Sequence, residues 1–382
     1  MTLIRGNRDI RVDFFRGLAL WWIFGDHIPG DMLSHWSLQN FAMCDATEVF
    51  VLLAGFGAGL AYGRTMDRQG YVYAAADTVR RAWTLYVAHI FLFVVFTAQV
   101  AYSATALDRV AYLEESRLDI LGDAPYRALL EALLLRFQPS LLNILPLYVV
   151  LLLMFAAALP LLRWRAVLFG VSLALYAAVQ ATGINFPSWT GEGWFFNPLA
   201  WQFLFMIGAI LAYSPPAMPR RRRAWDVASV LVLVAGLITI FVIDNHPRVL
   251  ASLPTQFVHL VIEEDKTGLH PFRLLSILAL TWLAVRLVPA QAAWLRSRPA
   301  APFVLAGQNS LPVFCAGVLL GFIGRLGLEA SDGPAMQLGV NLLGGAAMLT
   351  VGALAAWYRG KARADGERRA GGLRVAVRTD TG

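Results

Sequence analysis

Long apolar runs separated by short polar segments dominate this 382-residue chain. An apolar run of about 18 residues or more is typical of a helix that spans a membrane, because a spanning segment must satisfy its own backbone hydrogen bonds. We therefore predict an all-α fold, a polytopic transmembrane helical bundle of about ten spans. They cover about residues 11–29, 46–63, 82–103, 140–162, 166–182, 198–213, 225–243, 273–289, 303–324 and 335–357.

Composition and charge agree with this interpretation. The chain is 58% hydrophobic and 15% charged, which lies outside the usual range of soluble domains. With both termini cytoplasmic, 24 of the 32 Lys and Arg residues fall on the cytoplasmic side, as the positive-inside rule requires. The net charge of +7 is then mainly a topology signal. We expect the run Arg220–Arg223 to contact anionic lipid and not nucleic acid.

The chain divides into one membrane domain, residues 1–358, and a polar tail, residues 359–382. The tail is rich in Arg and Gly, which predicts a disordered, basic cytoplasmic segment. Residues 1–10 are polar and no usual cleavage site follows the first apolar run, so we expect an uncleaved first span. Cys44 and Cys315 receive no role, because two cysteines define neither a disulfide framework nor a metal site.

Ionisable residues in the first span are the first chemical signal: Asp13, Arg16, Asp26 and His27. Such residues are costly in a membrane and commonly serve chemistry or transport. Arg16 and His27 share one helical face, eleven residues or roughly 16 Å apart. His27 is a candidate general base with Asp26 as its partner. Asp13 can pair with Arg16 and is a candidate substrate contact. A helix cap with a structural histidine is the alternative.

The second span begins at Glu48, at the predicted level of His27. Glu48 is predicted to orient His27 or to stabilise its protonated form, and a simple boundary charge is the alternative. Gly55 and Gly59 form a Gly-x-x-x-Gly spacing, which predicts close contact with another helix.

Two arginines, Arg80 and Arg81, open the third span, and His89 lies about 12 Å further along the helix. Arginine binds phosphate through forked hydrogen bonds. These three residues, together with Arg16, are therefore candidates for binding a phosphate-rich cytoplasmic ligand. Charges that only set the topology are the alternative.

Polar residues interrupt the ninth span at Gln308, Asn309 and Ser310. They either line a path through the bundle or form hydrogen bonds between helices. Asn309 and Ser310 are candidate substrate contacts, one of which can stabilise an oxyanion. Trp189 and Trp194, in the loop 183–197, are candidates for stacking on sugar rings, with an interfacial aromatic belt as the alternative.

These motifs resemble those of OpgC-type proteins, inner-membrane enzymes that succinylate osmoregulated periplasmic glucans and are similar to the family-3 membrane acyltransferases. The resemblance covers about residues 8–357. Its motifs are Arg8-Asp9-x-Arg-x-Asp13-x-x-Arg16-Gly17 with Asp26-His27, Glu48-Val-Phe-Val-Leu-Leu-Ala-Gly-Phe56, Arg81-Ala-Trp-Thr-Leu-Tyr86 and Gly307-Gln-Asn-Ser-Leu311. The wider family often opens the third span with Arg-x-x-Arg-x-x-Pro. Here Thr84 follows Arg81, and no proline follows Tyr86.

The resemblance implies a multi-pass acyltransferase of the bacterial inner membrane, with Arg16 as the first-span arginine and His27 as the catalytic histidine. It implies acyl-CoA, succinyl-CoA above all, as a donor substrate and a periplasmic glucan as the acceptor. No permanently bound cofactor and no metal are expected. The alternatives are a glycan or small-solute transporter, and an acyltransferase that acts on another cell-surface polysaccharide. No inverted repeat is apparent, which counts against a transporter.

Overall fold

Helices form all of the regular secondary structure in the parts of the chain that the computed structural model describes, residues 9–215, 222–245 and 266–379. The predicted all-α class is confirmed for these parts. The helices are α1 (Ile10–Asp26), α2 (Ala46–Gln69), α3 (Tyr71–Ala106), α4 (Ala111–Glu115), α5 (Ile120–Asp123), α6 (Pro125–Leu133), α7 (Ile144–Ala158), α8 (Arg165–Thr182), α9 (Pro198–Tyr213), α10 (Arg222–Asn245), α11 (Pro271–Leu287), α12 (Ala301–Gln308), α13 (Ser310–Ala330) and α14 (Pro334–Thr379).

Several of these helices have the length and composition of membrane spans. Within the described residues, six helical segments are long and apolar enough to cross a membrane: Ala46–Gln69, Tyr71–Ala106, Ile144–Thr182, Arg222–Ile243, Ser310–Ala330 and Pro334–Lys361. The helix Pro198–Tyr213 is apolar but shorter. The chain is therefore a helical membrane protein, and the number of ten spans stays a prediction. Arg220 and Arg221 lie outside the described residues.

The segment Ile144–Thr182 turns back on itself at its centre. The residue before α7, Asn143, lines a cavity that the loop after α8 also lines, so α7 begins where α8 ends. Between them, Leu159–Trp164 forms a 3-10 turn, and its Arg163 lies 3.9 Å from Asp67 near the end of α2. The predicted spans 140–162 and 166–182 thus form two antiparallel helices, and both pack against α9.

Small residues bring α2 and α9 into backbone contact. A Cβ atom at Gly55 would overlap the carbonyl oxygen of Phe205, and one at Gly59 would overlap that of Ala209. Gly208, on α9, faces the backbone of α2 in the same way. The packing predicted from the Gly-x-x-x-Gly spacing is confirmed, because a larger side chain would push the two helices apart.

The predicted ninth span is two helices and not one. α12 ends at Gln308, and Asn309 has backbone angles (φ −120°, ψ 36°) that interrupt the helix before α13 begins. α12 packs closely on α1, since a Cβ at Gly17 or Gly307 would overlap the backbone of the other helix. The last helix, α14, continues as backbone to Thr379, so it enters the segment 359–382. The disorder of that segment stays a prediction.

The hairpin of α2 and α3 defines two ends of the bundle. Its turn is Gly70, whose φ of 91° is favoured by glycine. The 24 residues of α2 extend over roughly 36 Å. The start of α2 shares a cavity with His27, and its last turns share a second cavity with Arg80. We refer to these as the His27 end and the Arg80 end.

Candidate active site

A cavity of about 380 Å³ lies at the His27 end. α1, α2, α7 and α13 contribute to its wall, together with the long segment between α3 and α7, the loop between α8 and α9, and the residues before α11. We name it the His27 cavity. Its polar lining comprises Asp26, His27, Gln39, Asp45, Thr47, Arg117, Arg136, Gln138, Ser140, Asn143, Ser188, Thr190 and Lys266.

His27 closes α1, because its backbone N–H donates to the carbonyl of Ile23 at 3.1 Å. Its side chain packs beside Gly321 of α13. The ring lines the cavity, but Nδ1 is enclosed and has no hydrogen-bond partner among the described residues. The other nitrogen, Nε2, is therefore the one available to a ligand. Asp26 also lines the cavity and accepts a hydrogen bond from Gln39 Nε2 at 3.0 Å.

A buried ionic network begins next to His27. Arg273, only 2% exposed, donates from Nε to Glu48 at 2.7 Å and from a terminal nitrogen to Asp45 at 3.0 Å. Lys266 lies 2.8 Å from the same Asp45 oxygen. Burial raises the pKa of Asp45, but Lys266 and Arg273 outweigh that effect and hold its pKa well below its usual range. Asp45 is thus a fixed negative charge in the wall of the cavity.

Glu48 lies deeper than predicted. It is 0% exposed, and its two oxygens accept from Arg273 and from the backbone N–H of Asp45, the latter at 2.8 Å. Together with the bond from Thr47 N–H to Asp45, this is a capping box at the start of α2. Asp45, and not Glu48, is therefore the acid of this network that lines the cavity with His27.

Two sequence signals could have revealed this network. Asp45 precedes Glu48 by three residues at the start of an apolar run, which is the capping-box spacing. Arg273 is an isolated charge at the start of the eighth apolar run, and an ionisable residue at such a place has a partner as a rule. No comparable pattern in the sequence marks Lys266, because only the folded arrangement brings its segment next to α2.

The loop between α8 and α9 supplies the aromatic part of the wall. Trp194, Phe195 and Phe196 line the His27 cavity. Trp189 stands behind the lining, packed edge-on against Phe137 at 5.5 Å with the Arg127 guanidinium over its ring. Of the two predicted tryptophans, Trp194 therefore shares the cavity with His27 and Asp26.

A second cavity, of about 470 Å³, lies at the Arg80 end. α2 and α3 form it, with Ala61, Tyr62 and Thr65 on one side and Asp77, Arg80, Arg81 and Thr84 on the other. Arg80 pairs with Asp77 at 3.1 Å, and its side chain is 80% exposed. The predicted arginine pair therefore lines one accessible cavity, which we name the Arg80 cavity.

Arg16 lies between the two cavities and not beside Arg80 and Arg81. Its guanidinium donates to the carbonyl of Leu53 at 2.8 Å and lies against Gly57. On α2, Leu53 is six residues from Thr47 in one cavity and eight from Ala61 in the other, about 9 and 12 Å of rise. Arg16 is thus separated from the arginine pair along α2, because α1 meets α2 near its middle, and its role in ligand binding stays a prediction.

His89 occupies a similar depth on α3. It lies five residues beyond Thr84, is 0% exposed, and has no hydrogen-bond partner for either ring nitrogen among the described residues. In the α2–α3 hairpin, position 89 is nineteen residues from Gly70, which places it opposite about position 51 of α2, near the depth of Leu53. His89 therefore lies inside the bundle, further from the Arg80 end than the residues that line the Arg80 cavity.

The remaining predicted contacts lie elsewhere. Asp13 accepts a hydrogen bond from Gln308 at 3.3 Å, where α1 meets α12. Asn309 donates to the carbonyl of Leu305 at 2.7 Å and accepts from Arg359 of α14. Neither these residues nor Ser310 are part of the described lining of either cavity. For Gln308 and Asn309, the contacts therefore support hydrogen bonds between helices and not the lining of a path through the bundle.

Comparison with known proteins assigns the chain to a family. A family model described as OpgC protein matches residues 8–360. The chain belongs to the OpgC protein family. No curated protein and no solved structure matched the chain.

Membership in the OpgC family agrees with the resemblance found in the sequence motifs, and it indicates a membrane acyltransferase. The structure adds an arrangement to that assignment. A histidine and a fixed carboxylate share one cavity, an accessible arginine pair lines another, and a third arginine lies between them. Such an arrangement can activate a hydroxyl at one end while it holds phosphates at the other.

Proposed function

We propose that this OpgC protein is an inner-membrane O-acyltransferase that moves an acyl group, succinyl in keeping with its family, from cytoplasmic acyl-CoA to hydroxyls of a periplasmic glucan. In the proposed topology ten spans cross the membrane and both termini are cytoplasmic. The Arg80 cavity then opens to the cytoplasm and the His27 cavity to the periplasm. This orientation leaves most basic residues inside.

The observation that carries the proposal is the placement of the two cavities along α2. Thr47 lines the His27 cavity and Ala61 lines the Arg80 cavity, and fourteen helical residues correspond to roughly 21 Å. A donor with a phosphate-bearing head and a long arm matches this distance better than a compact solute does. In this scheme Arg80 and Arg81 bind the phosphates, and the arm passes Arg16 and His89.

His27 is proposed as the general base. Nε2 takes the proton from an acceptor hydroxyl, whose oxygen attacks the thioester carbon. The tetrahedral intermediate collapses, the carbon–sulfur bond breaks, and the leaving thiolate takes the proton from the imidazolium. The products are an ester on the glucan and free CoA. The fixed negative charge of Asp45 stabilises the imidazolium that forms between the two steps, and Asp26 lines the same space.

The acceptor is proposed to enter among the aromatic residues of the loop between α8 and α9. Trp194 lines the cavity, and an aromatic ring beside polar groups is suited to holding a sugar ring. Asn143 and Ser140 line the same cavity and offer hydrogen bonds to hydroxyl groups. Neutral sugar hydroxyls and a base therefore meet in one compartment.

The direct test uses the purified full-length protein in detergent, with labelled acyl-CoA and glucan. We expect His27→Ala to lower kcat/KM by about 10²–10⁴-fold, which is the usual contribution of a positioned general base. His35→Ala is the matched control, because His35 is exposed in the turn that follows α1. A His27→Ala protein that folds normally and transfers the acyl group at the wild-type rate would refute the assignment.

The same assay separates the enzyme from a transporter. Transport cannot occur in detergent, so transfer of label from CoA to glucan by the wild-type protein supports the enzyme alone. Mass spectrometry of periplasmic glucans from strains with and without the gene then identifies the added group and the acceptor. Unchanged glucans together with a modified surface polysaccharide would redirect the proposal to that acceptor.

A further inference from the structure

The wall of the His27 cavity contains cations for which the reaction described above has no use. Arg117 and Arg136 line it, both from the segment that connects α3 to α7. Lys266 lines it too, but is bound to Asp45 at 2.8 Å. A neutral sugar acceptor requires none of these charges, so the two arginines point to a negatively charged group in the cavity.

Both arginines have guanidinium N–H groups that their acidic neighbours do not use. Arg117 contacts Glu192 through one terminal nitrogen at 3.0 Å, and Arg136 contacts Glu131 through one terminal nitrogen at 3.4 Å. Among the described residues, the other nitrogens of both guanidinium groups have no recorded partner. Each arginine can thus keep its acidic neighbour and still offer N–H groups to a carboxylate.

The direction in which the donor enters decides which group reaches the arginines. In the proposed function, on which this inference rests, the phosphates stay at the Arg80 end and the thioester reaches His27. The acyl chain is then the leading end, and it extends into the His27 cavity. A carboxylate at the end of that chain meets Arg117 and Arg136, whereas an uncharged end leaves them without a ligand.

We propose that Arg117 and Arg136 bind the terminal carboxylate of the transferred acyl group and so make the enzyme selective for donors that end in a carboxylate. A bond from arginine to carboxylate is charge-assisted and sensitive to geometry, which suits discrimination between acyl groups of equal length.

The test compares two donors that differ in this charge, succinyl-CoA and butyryl-CoA, with the purified full-length protein and a neutral glucan. We expect Arg117→Gln and Arg136→Gln each to lower the kcat/KM ratio of succinyl to butyryl by about tenfold, the size of one charged hydrogen bond. Transfer from butyryl-CoA should be almost unchanged. Equal losses with both donors, or no loss with either, would overturn the inference.

Two variants separate recognition from a structural role. Arg127→Gln removes the other cation near Glu131, at 3.9 Å, but Arg127 is not among the residues lining the cavity. It should leave the donor ratio unchanged. Glu192→Gln breaks the Arg117 pair without removing the arginine. If Arg117 acted only through that pair, Glu192→Gln would reproduce the Arg117→Gln phenotype, and the inference would fall.

A second arm asks whether the charge belongs to the acceptor. The assay is repeated with an anionic, already substituted glucan. If the effect of Arg117→Gln follows the acceptor charge and not the donor charge, the arginines bind the acceptor and the inference is wrong. If the wild-type protein transfers neither acyl group, both the proposed function and the inference fail. If the wild-type protein transfers acyl groups but the arginine variants leave the succinyl-to-butyryl ratio unchanged, the inference alone fails.

Discussion

The two cavities contain similar residues in opposite physical states. At the His27 end, Asp45, Glu48 and Arg273 are at most 5% exposed and hold one another through short ionic hydrogen bonds. At the Arg80 end, the Arg80 side chain is 80% exposed and pairs with Asp77, a turn earlier on the same helix. The charged side chains are held in place at the His27 end, whereas those at the Arg80 end can change position.

This difference matches two different tasks. A group that takes part in proton transfer must be held in place, and buried partners hold it. A group that binds the phosphates of a mobile ligand has to be reached from solvent, and a flexible arginine meets that need. Arg16 lies between the two ends and binds a backbone carbonyl of α2. Because the two cavities are separated along α2, a substitution in one can be compared with a substitution in the other.

The largest expected effect is on stability at the His27 end. Arg273→Met leaves the buried carboxylates of Glu48 and Asp45 without their guanidinium partner, and the loss of one partner of a buried pair costs about 3–5 kcal/mol. We expect a large fall in the Tm of the purified protein, whereas Arg80→Met should leave the Tm unchanged.

The double variant Arg273→Met with Glu48→Gln is the control for this prediction, because it removes a charge from each side of the pair. It should recover part of the lost Tm. Equal Tm values for Arg273→Met and Arg80→Met would contradict the contrast between a fixed and an adjustable end.

The second prediction concerns ligand binding at the Arg80 end. Arg80→Gln together with Arg81→Gln should raise the KM for acyl-CoA by about 10–100-fold, which corresponds to the loss of one or two charged hydrogen bonds. The value of kcat should change little, since neither side chain reaches the His27 cavity. Steady-state kinetics at low and high salt measure both parameters.

Arg64→Gln is the matched control for the arginine pair. Arg64 is exposed near the same end of α2 but is not part of the lining of the Arg80 cavity. A fall in kcat at unchanged KM in the double variant would mean that the arginines serve the reaction step and not the binding of phosphate.

Much of the fold could be predicted from the sequence, because hydrophobic length and glycine spacing are local properties. The close contact at Gly55 and Gly59 is an example. The sequence shows polar residues around Asn309, but it does not predict that the span divides there into α12 and α13. Such a break depends on how α1 packs against α12 through Gly17 and Gly307.

The site was predicted unevenly for the same reason. His27 and Asp26 are adjacent in the chain, so their shared cavity followed from position. The position of Arg16 depends on which helix it faces at mid-depth, and its contact with Leu53 cannot be inferred from its distance along α1. No motif in the sequence marks Arg117 and Arg136 as site residues, since their approach to His27 arises from long-range contacts.

The third prediction tests the region between the cavities, through two glycines of α2. A Cβ at Gly57 would lie 3.3 Å from the terminal nitrogen of Arg16, which is the flexible end of a side chain. Gly57→Ala should therefore displace the guanidinium, leave the Tm unchanged and lower kcat/KM by about fivefold, or about 1 kcal/mol of transition-state stabilisation. Kinetics and thermal unfolding of the purified protein measure the two effects.

Gly55→Ala provides the counterpart, because its Cβ would meet the backbone of Phe205. Overpacking at such a contact costs about 1–3 kcal/mol, so the Tm should fall. If Gly57→Ala lowers the Tm as Gly55→Ala does, Gly57 serves helix packing and the two cavities are not connected through Arg16.

The smallest expected effect depends on pH. The pKa of Asp45 is held below its usual range by Lys266 and Arg273, so its ionic contacts stabilise the fold above the ordinary carboxyl pKa of about 3.9. They are lost as the pH falls below that value and the folded protein takes up the proton. Lys266→Met should raise the pKa of Asp45 again and cost about 1 kcal/mol at neutral pH, because Lys266 is partly exposed.

The measurement is the Tm of wild type and Lys266→Met in detergent between pH 3 and pH 8. The difference between the two should be greatest at neutral pH and should narrow as the pH falls through the raised Asp45 pKa of the variant, because Asp45 is then protonated in Lys266→Met while Lys266 and Arg273 still keep it ionised in the wild type. Lys266→Arg keeps the charge and should follow the wild type. Arg80→Met, at the opposite end, should show no such convergence. A Tm difference that is constant with pH would mean that Lys266 acts through packing, and Asp45 would then owe its charge to Arg273 alone.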